Sequence, residues 1–331
     1  MSINKELINF KKKIKFNYNI NILYINNKFI KIKFYDIILN YYFIKNELFI
    51  YIKKNIINKI NLKINFFYFN YVNLINKIKI TIYLNSKIKL FIKENYYLYN
   101  KYNLFLNLFI LNIYLKKLSN IIYLKFKNVN INIYNILNIY QKKFTKFILY
   151  DINLYEYISL NKINIYNLDN YCKNFIYGIY IINNYQYIKN NIYIKNNFNN
   201  SINNQKYIGI YDDKSTTILK GIIDVEKYTK NNISYQNYKN FVLSNKVYID
   251  YKPYLNIHTN KIKCSHGFNL GNIDKNILFY LQSRGINIYK AKLIYFLSIL
   301  SKNIKDIKIY KIIINKIKKK LKTIFNKKKN V

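Results

Sequence analysis

Cys264 and His266 stand two residues apart in the run Lys261-Ile262-Lys263-Cys264-Ser265-His266-Gly267. On a strand, residues two apart project from the same face. A thiolate beside an imidazole suits a soft or borderline metal such as iron or zinc. Iron–sulfur clusters take cysteine and, in some cases, histidine. Two donors do not close a coordination sphere, so further ligands would come from elsewhere in the chain or from another subunit. Two other readings stay open. One is a buried cysteine next to a hydrogen-bonded core histidine. The other is a Cys–His nucleophile pair, although no orienting acid or oxyanion loop accompanies it. His258 lies six residues upstream of Cys264. It would share that face if the strand ran unbroken, and it reads more simply as a surface histidine.

The pair sits in a stretch unlike the rest. Asn256 to Ala291 holds both histidines, Cys264, the only arginine (Arg284), the only alanine and Gly267, Gly271 and Gly285; the only proline, Pro253, lies just before it. Elsewhere the chain is written mostly in Ile, Asn, Lys, Tyr, Phe and Leu, as a coding bias toward AT-rich codons would produce. Under such a bias, a rare residue that persists is not filler. Gly267 and Gly271 with no Lys-Ser/Thr after them make a turn and not a phosphate loop. Phe279 to Phe296, with Gly285 in the middle, has the outline of a helix-turn-helix. Its second helix carries too few polar side chains to read base edges, so a helical hairpin packed on the body is expected.

The elements that must position these residues follow from periodicity. Residues 1–50 read as a mixed region, with Ser2 capping a helix from Ile3 to Lys13 and alternation at Ile30, Ile32 and Phe34. Residues 51–273 read as β. Ile78, Ile80, Ile82 and Leu84 alternate with polar or aromatic neighbours, as do Val129, Ile131 and Ile133, then Ile163 and Ile165, then Ile192 and Ile194. Leu104 to Leu118 fits helix or strand. With six glycines and one proline, asparagine is expected to supply most turns, because it tolerates left-handed backbone. Many short strands suggest a sandwich, barrel or solenoid; no clean repeat period selects among them. Residues 274–325 read as helical: Asp274 caps a helix through Leu278 and Leu281 that ends at Gly285, Asn287 caps a second, and Ile304 to Leu321 forms a third. Residues 326–331 read as a solvated basic tail.

A net charge of +42 over 331 residues raises nucleic acid as a partner. The charge is almost all lysine and is scattered, with one dense run from Lys316 to Lys329. A nucleic-acid- or ribosome-binding protein is therefore kept as the rival reading, and it leaves the Cys-Ser-His-Gly run unexplained. Two distant cysteines make no disulfide framework and fit a reducing compartment. No apolar run approaches ~18 residues, and the first residues lack a hydrophobic signal region. A soluble protein of the cytoplasm, or of a plastid or apicoplast stroma, is expected.

Lys263-Cys264-Ser265-His266-Gly267, then Gly271, Asp274 and Leu278-Phe279-Tyr280-Leu281-Gln282-Ser283-Arg284-Gly285-Ile286, resembles the C-terminal signature of the SufB/SufD family of iron–sulfur cluster assembly proteins. The Lys-Cys-Ser-His-Gly form looks like the SufD branch; the SufB branch usually has His-Glu-Ala there. Asp212, Asp213, Gly221, Val225, Tyr235-Gln236, Asn240, Leu243-Ser244, Asp250 and Lys252-Pro253 extend the resemblance, which covers about residues 205–300. Phe268-Asn269 departs from the small pair usual after Gly267, and the second helix lacks the acidic residues common there. The resemblance implies a right-handed parallel β-helix core with a small C-terminal helical region and a short mixed N-terminal region. It implies a non-catalytic subunit that pairs with a SufB-like scaffold, or a SufB-like scaffold that forms a homodimer. It also implies docking of a SufC-like ABC ATPase on the C-terminal helices, through Leu278, Phe279, Leu281 and Arg284. A transient iron–sulfur cluster at the subunit interface would be held by His266, with a less certain part for Cys264.

Overall fold

The computed structural model describes residues 19–25, 28–30, 39–44, 47–52, 59–68, 76–98, 106–126, 131–304 and 307–327. The expected helix from Ile3 to Lys13, Ile32, Phe34, Val129 and the last four residues lie outside these. The described chain opens with β1 (Asn19–Ile25), β2 (Lys28–Ile30) and β3 (Leu39–Ile44). Strands β4 (Glu47–Ile52), β6 (Asn76–Leu84), β8 (Leu106–Leu115), β10 (Asn132–Gln141), β12 (Ile158–Asn167), β14 (Tyr187–Asn196), β16 (Thr216–Val225) and β18 (Tyr248–Ile257) then line up in one sheet. Strands β5 (Lys59–Tyr68), β7 (Lys89–Leu98), β9 (Asn120–Phe126), β11 (Lys146–Asn153), β13 (Lys173–Ile182), β15 (Ile202–Tyr211), β17 (Asn232–Val242) and β19 (Ile262–Gly271) line up in the other. From β6 to β17 each strand pairs in parallel with the strands two before and two after it, so the chain winds as a parallel β-helix. Among the described residues only β1–β2 and β3–β4 pair antiparallel. Of Leu104–Leu118, open between helix and strand, residues 106–115 form the strand β8.

Period-2 alternation explains the winding. Within β12, β14 and β16 the inward residues are buried and the others face out. Ile80, Ile82, Ile113, Ile133, Ile139, Ile165 and Ile194 form the dry part of the space between the sheets. Partners on successive rungs are 26 to 32 residues apart, as in Asn132 with Ile158 and Glu47 with Lys79. The corners absorb this variation, which hides the repeat from the sequence. On the outer face of the even-numbered sheet, Tyr51, Tyr83, Tyr114, Tyr140 and Tyr166 stack ring on ring at 4.6–5.2 Å. Asn112, Asn138 and Asn164 run beside them as an amide ladder, at 2.8 and 2.7 Å.

Corner chemistry departs from expectation. Eight non-glycine residues have left-handed backbone among the described residues, and only Asn184, Asn200 and Asn231 are asparagine; Lys87, Leu118, Phe144, Tyr171 and Asp213 are the others. At one corner the residue after each is buried and, on successive rungs, is Ser119, Thr145, Cys172, Ser201 and Asn232. The inter-rung bonds around these residues override the backbone preference. Leu118 N–H donates to Lys143 O, Phe144 N–H to Asn170 O and Tyr171 N–H to Asn199 O. Cys172 is part of this stack. Its thiol donates to Asp169 O at 3.1 Å, and burial pushes its pKa up to about 11.

Three helices follow: α1 (Lys275–Ser283), α2 (Ile288–Ser301) and α3 (Ile307–Lys327). Asp274 caps α1 by accepting from Asn276 N–H and Ile277 N–H, Gly285 follows it at φ +77°, and Asn287 caps α2. Helices α2 and α3 cover the outer face of the odd-numbered sheet, burying Tyr150, Ile152, Tyr177, Ile179, Ile208 and Phe241 under Phe296, Leu300, Ile313, Ile317, Leu321 and Phe325. Helix α3 is displaced from the expected Ile304–Leu321. Asn326 and Lys327 belong to it, and Ile312 is 40% exposed. Much of the dense lysine run is therefore the wet face of a docked helix. No described helix is long and apolar enough to cross a membrane.

Candidate functional site

The winding stops at β18 and β19. Each pairs on one side only, β18 with β16 and β19 with β17, so one end of the β-helix presents two ten-residue edges among the described residues. Pro253 sits in β18, a terminal strand, where a missing N–H is tolerated. Exposed apolar side chains crowd this rung: Tyr248, Tyr254, Ile257, Phe268 and Leu270 are 40–58% exposed. A long, apolar, unpaired edge is a pairing surface.

Register places the sequence-derived ligands on it. Cys264 pairs with Ser234 and His266 with Gln236. Ser234 and Gln236 are buried and face the space between the sheets, and in-register neighbours on a parallel sheet share that direction. Cys264 and His266 therefore face the interior at its open mouth, beside Tyr251 and Leu255 of β18, which pack onto the core. Cys264 ends a polar column. Asn174 Nδ2 donates to Asn203 Oδ1 (2.9 Å) and Asn203 Nδ2 to Ser234 Oγ (3.2 Å), and Ser234 lies beside Cys264. Burial raises the Cys264 thiol pKa, and the hydrogen bond from Ser234 opposes that. His266 is exposed and continues the column of Gln205 and Gln236.

His258 does not join them. Strand β18 ends at Ile257, and the chain turns a corner before Ile262. His258 Nε2 lies instead 3.8 Å from Asp224 Oδ1. No group of three or more His, Cys, Asp and Glu able to hold a metal occurs among the described residues. Cys264 and His266 supply two donors, and a metal held there needs donors from a second chain or from sulfide.

The residues expected to meet an ATPase divide. Phe279 is 74% exposed, Arg284 is exposed and lies over the Tyr280 ring at 5.2 Å, and Leu281 is half-buried. Leu278 is buried as α1 packs on α2, so it holds the helix rather than offering a surface. Ile277 and Tyr280, 42% and 56% exposed, belong to the outward patch and were not singled out.

Sequence reasoning also missed the polar interior. Lys125 and Asp151 form a buried ion pair at 3.2 Å, and Lys125 also bonds Asn161. Tyr180 donates to Asp151 (2.6 Å), and Tyr207 and Tyr238 lie beyond it. Glycines make room for these rings: a Cβ at Gly178 would run into the Tyr207 ring, and one at Gly221 into Tyr238 Oη and Gln205. A polar residue every second position was visible, but not that such residues from distant rungs stack into columns.

Comparison with known proteins agrees with this geometry. Over 83 residues the chain is 34% identical to the iron–sulfur cluster assembly protein SufD of Escherichia coli (strain K12), covering 25% of this chain and 20% of that protein. Over 152 residues it is 27% identical to an iron–sulfur cluster assembly SufBD family protein of Synechocystis, covering 46% of this chain and 34% of that one. The matched stretches thus span between a fifth and about a third of these relatives. The family model for the SUF system FeS cluster assembly SufBD core domain matches residues 72–296, starting well upstream of residue 205, where the motif resemblance begins. The rungs from β6 onward, the open rung with Cys264 and His266, and the capped helix after it all fall inside that match, and the chain belongs to the SufBD family of iron–sulfur cluster assembly proteins.

Proposed function

We propose that this chain is a SufD-like, non-catalytic subunit of the SUF assembly complex. It pairs with a SufB-like scaffold through the β18/β19 rung, receives a SufC-like ATPase on α1, and offers His266, with Cys264 behind it, to iron and sulfide at the shared interface. One observation carries the reading: both donors face inward on β19, at the end of the core where β18 and β19 terminate the two sheets. Extended pairing across such an edge uses main-chain hydrogen bonds, with side chains setting specificity.

The two donors differ in readiness. An imidazole binds metal in its neutral form. A thiol must first lose its proton, and burial at Cys264 opposes that loss. Metal binding itself drives such deprotonation and releases the proton. His266 is therefore the first contact, and Cys264 joins as the metal displaces its proton. On α1, Phe279 and Arg284 give an aromatic and a cationic contact, the residue types that dominate interface energetics.

The test is co-purification of the full chain with SufB- and SufC-type partners, followed by anaerobic incubation with iron, sulfide and ATP. Cluster is read by visible absorption. The His266→Ala protein is expected to join the complex and to lose cluster absorbance; Cys264→Ser is expected to lose less. Unchanged absorbance in His266→Ala removes the ligand role. A homodimer that loads cluster with the ATPase alone replaces the SufD-like reading with a SufB-like one. No complex, together with salt-sensitive RNA binding, removes both.

A further inference from the structure

A groove of about 850 Å³ runs along the corner where odd strands hand over to even ones, lined by Tyr155, Tyr157, Asn184, Tyr185, Gln186, Asp213, Lys214, Ser244, Lys246 and Lys320. It crosses four successive corners, roughly 15 Å at the rung spacing of a sheet, and α3 forms one wall through Lys320. Lysine alone decides nothing in a chain this basic. What sets the groove apart is a fixed cationic wall. Lys320 is only 8% exposed. Its ammonium donates to Asn183 Oδ1 (2.6 Å) and Gln186 Oε1 (3.1 Å), and it lies 5.4 Å from the Tyr155 ring. Gln186 is held in turn by donating to Glu156 O at 2.6 Å.

The rim is adaptable and aromatic. Tyr185 is 62% exposed with the Lys214 ammonium 5.4 Å from its ring, and Tyr157 is 39% exposed. Lys246 stands exposed on the next corner. The acid in the lining, Asp213, already accepts from Asn184 N–H at 2.9 Å. Three ammonium groups against one carboxylate leave the groove cationic. Its size falls in the ~300–1,000 Å³ range of small-molecule sites.

We propose that this groove binds a nucleoside phosphate, with the base on Tyr157 and Tyr185 and the phosphates between Lys214 and Lys246. Aromatic rings accept any base by stacking, and ammonium groups meet phosphate as point charges.

The test titrates ADP, adenosine and inorganic pyrophosphate into the full chain by calorimetry at 0.15 M salt. ADP is expected to bind, and adenosine and pyrophosphate each at least about fivefold more weakly, the size of one stacking interaction. Lys214→Glu/Lys246→Glu is expected to weaken ADP at least tenfold. The control, Lys116→Glu/Lys142→Glu on the opposite corner, makes the same change in net charge and is expected to alter it less than twofold. Tyr185→Ala is expected to weaken ADP but not pyrophosphate. Equal binding of ADP and pyrophosphate overturns the base contact. Equal loss in both charge-reversed proteins overturns the location, and no ADP binding overturns the site. Circular dichroism of each variant establishes folding, and every substituted lysine is a surface residue.

Discussion

Gly178→Ala is expected to be among the costliest single-methyl additions in this protein. A Cβ there would lie less than 3.0 Å from three carbons of the Tyr207 ring. The ring must retreat by about 1.5 Å to reach ordinary contact. It has nowhere to go: Tyr207 is fully buried, its hydroxyl accepts from Asn190 Nδ2 at 3.2 Å, and the Tyr180 and Tyr238 rings flank it at 5.4 and 5.9 Å. Overpacking costs roughly 1–3 kcal/mol, and confinement puts this site near ~3 kcal/mol. For a chain of this length that lowers the melting temperature by about 4 °C. Gly267→Ala is the internal control, since nothing lies within 4 Å of a Cβ there, and it is expected to stay within ~0.5 kcal/mol. Urea unfolding followed by far-ultraviolet circular dichroism measures both. A double-mutant cycle sharpens the argument. Tyr207→Ala alone costs roughly 3–5 kcal/mol, and adding Gly178→Ala to it is expected to cost almost nothing, a coupling of about 2–3 kcal/mol. A Gly178→Ala protein as stable as the parent, or simple additivity in the cycle, refutes the claim that the rings are wedged in place by missing side chains.

Other outcomes follow from single features. Leu118→Asn is expected to raise stability by about 0.5–1 kcal/mol in thermal melts, because Leu118 holds φ 63°, which asparagine tolerates and a leucine resists. Phe144→Asn gains less, because it also loses the ring stack on Tyr171 at 4.8 Å. Lys125→Met is expected to cost about 3–5 kcal/mol in denaturant unfolding by stranding Asp151, and Lys125→Met/Asp151→Leu to recover most of it; no recovery would show that the pair is not what the site requires. Stability is expected to fall as pH rises from about 9 through about 11, because Cys172 has a folded pKa raised to about 11 and an ordinary one of 9.0. Such a group stabilises fully below its unfolded pKa and stops doing so as pH passes its folded one. The buried Tyr211 and Tyr238, also raised by burial, extend the loss upward, and a flat profile from pH 8 to 11 would contradict all three shifts.

Local signals in the sequence survived folding best. Asp274 and Asn287 were legible as helix caps because the cap chemistry lies within three residues of each. Cys264 and His266 were legible as a same-face pair because strand parity needs no tertiary knowledge. His258 was not, because its place depended on whether Thr259–Lys261 continued the strand or turned a corner. The parallel β-helix was reached through the family resemblance and not through periodicity, since its repeat slips between 26 and 32 residues and each rung is recognisable only beside its neighbours. Leu118, Phe144 and Tyr171 gave no turn signal at all, and inter-rung hydrogen bonds, with bonds inside each corner from Ser119, Thr145 and Cys172, hold them left-handed. The resemblance names Leu278 as a contact residue, and the helical hairpin buries it. The groove beside Lys320 joins side chains 137 positions apart, which no local pattern reaches.

The variable corners between strands of mostly ten residues also say something about how little this architecture asks of its alphabet. Each strand needs one bulky apolar residue at every second position, and almost any polar residue between. Isoleucine alternating with asparagine or lysine meets that demand as well as a richer vocabulary would. Side-chain identity is costly to change at the places already described: the glycines under the tyrosine rings, the buried Lys125–Asp151 pair and the capped helix starts. A chain can therefore drift toward a handful of residue types over most of its length and remain the same object. Of its rare letters, Gly178 and Gly221 leave room for tyrosine rings and Gly285 holds left-handed backbone, whereas Gly267 on the terminal rung meets nothing within 4 Å and answers no such demand of the fold.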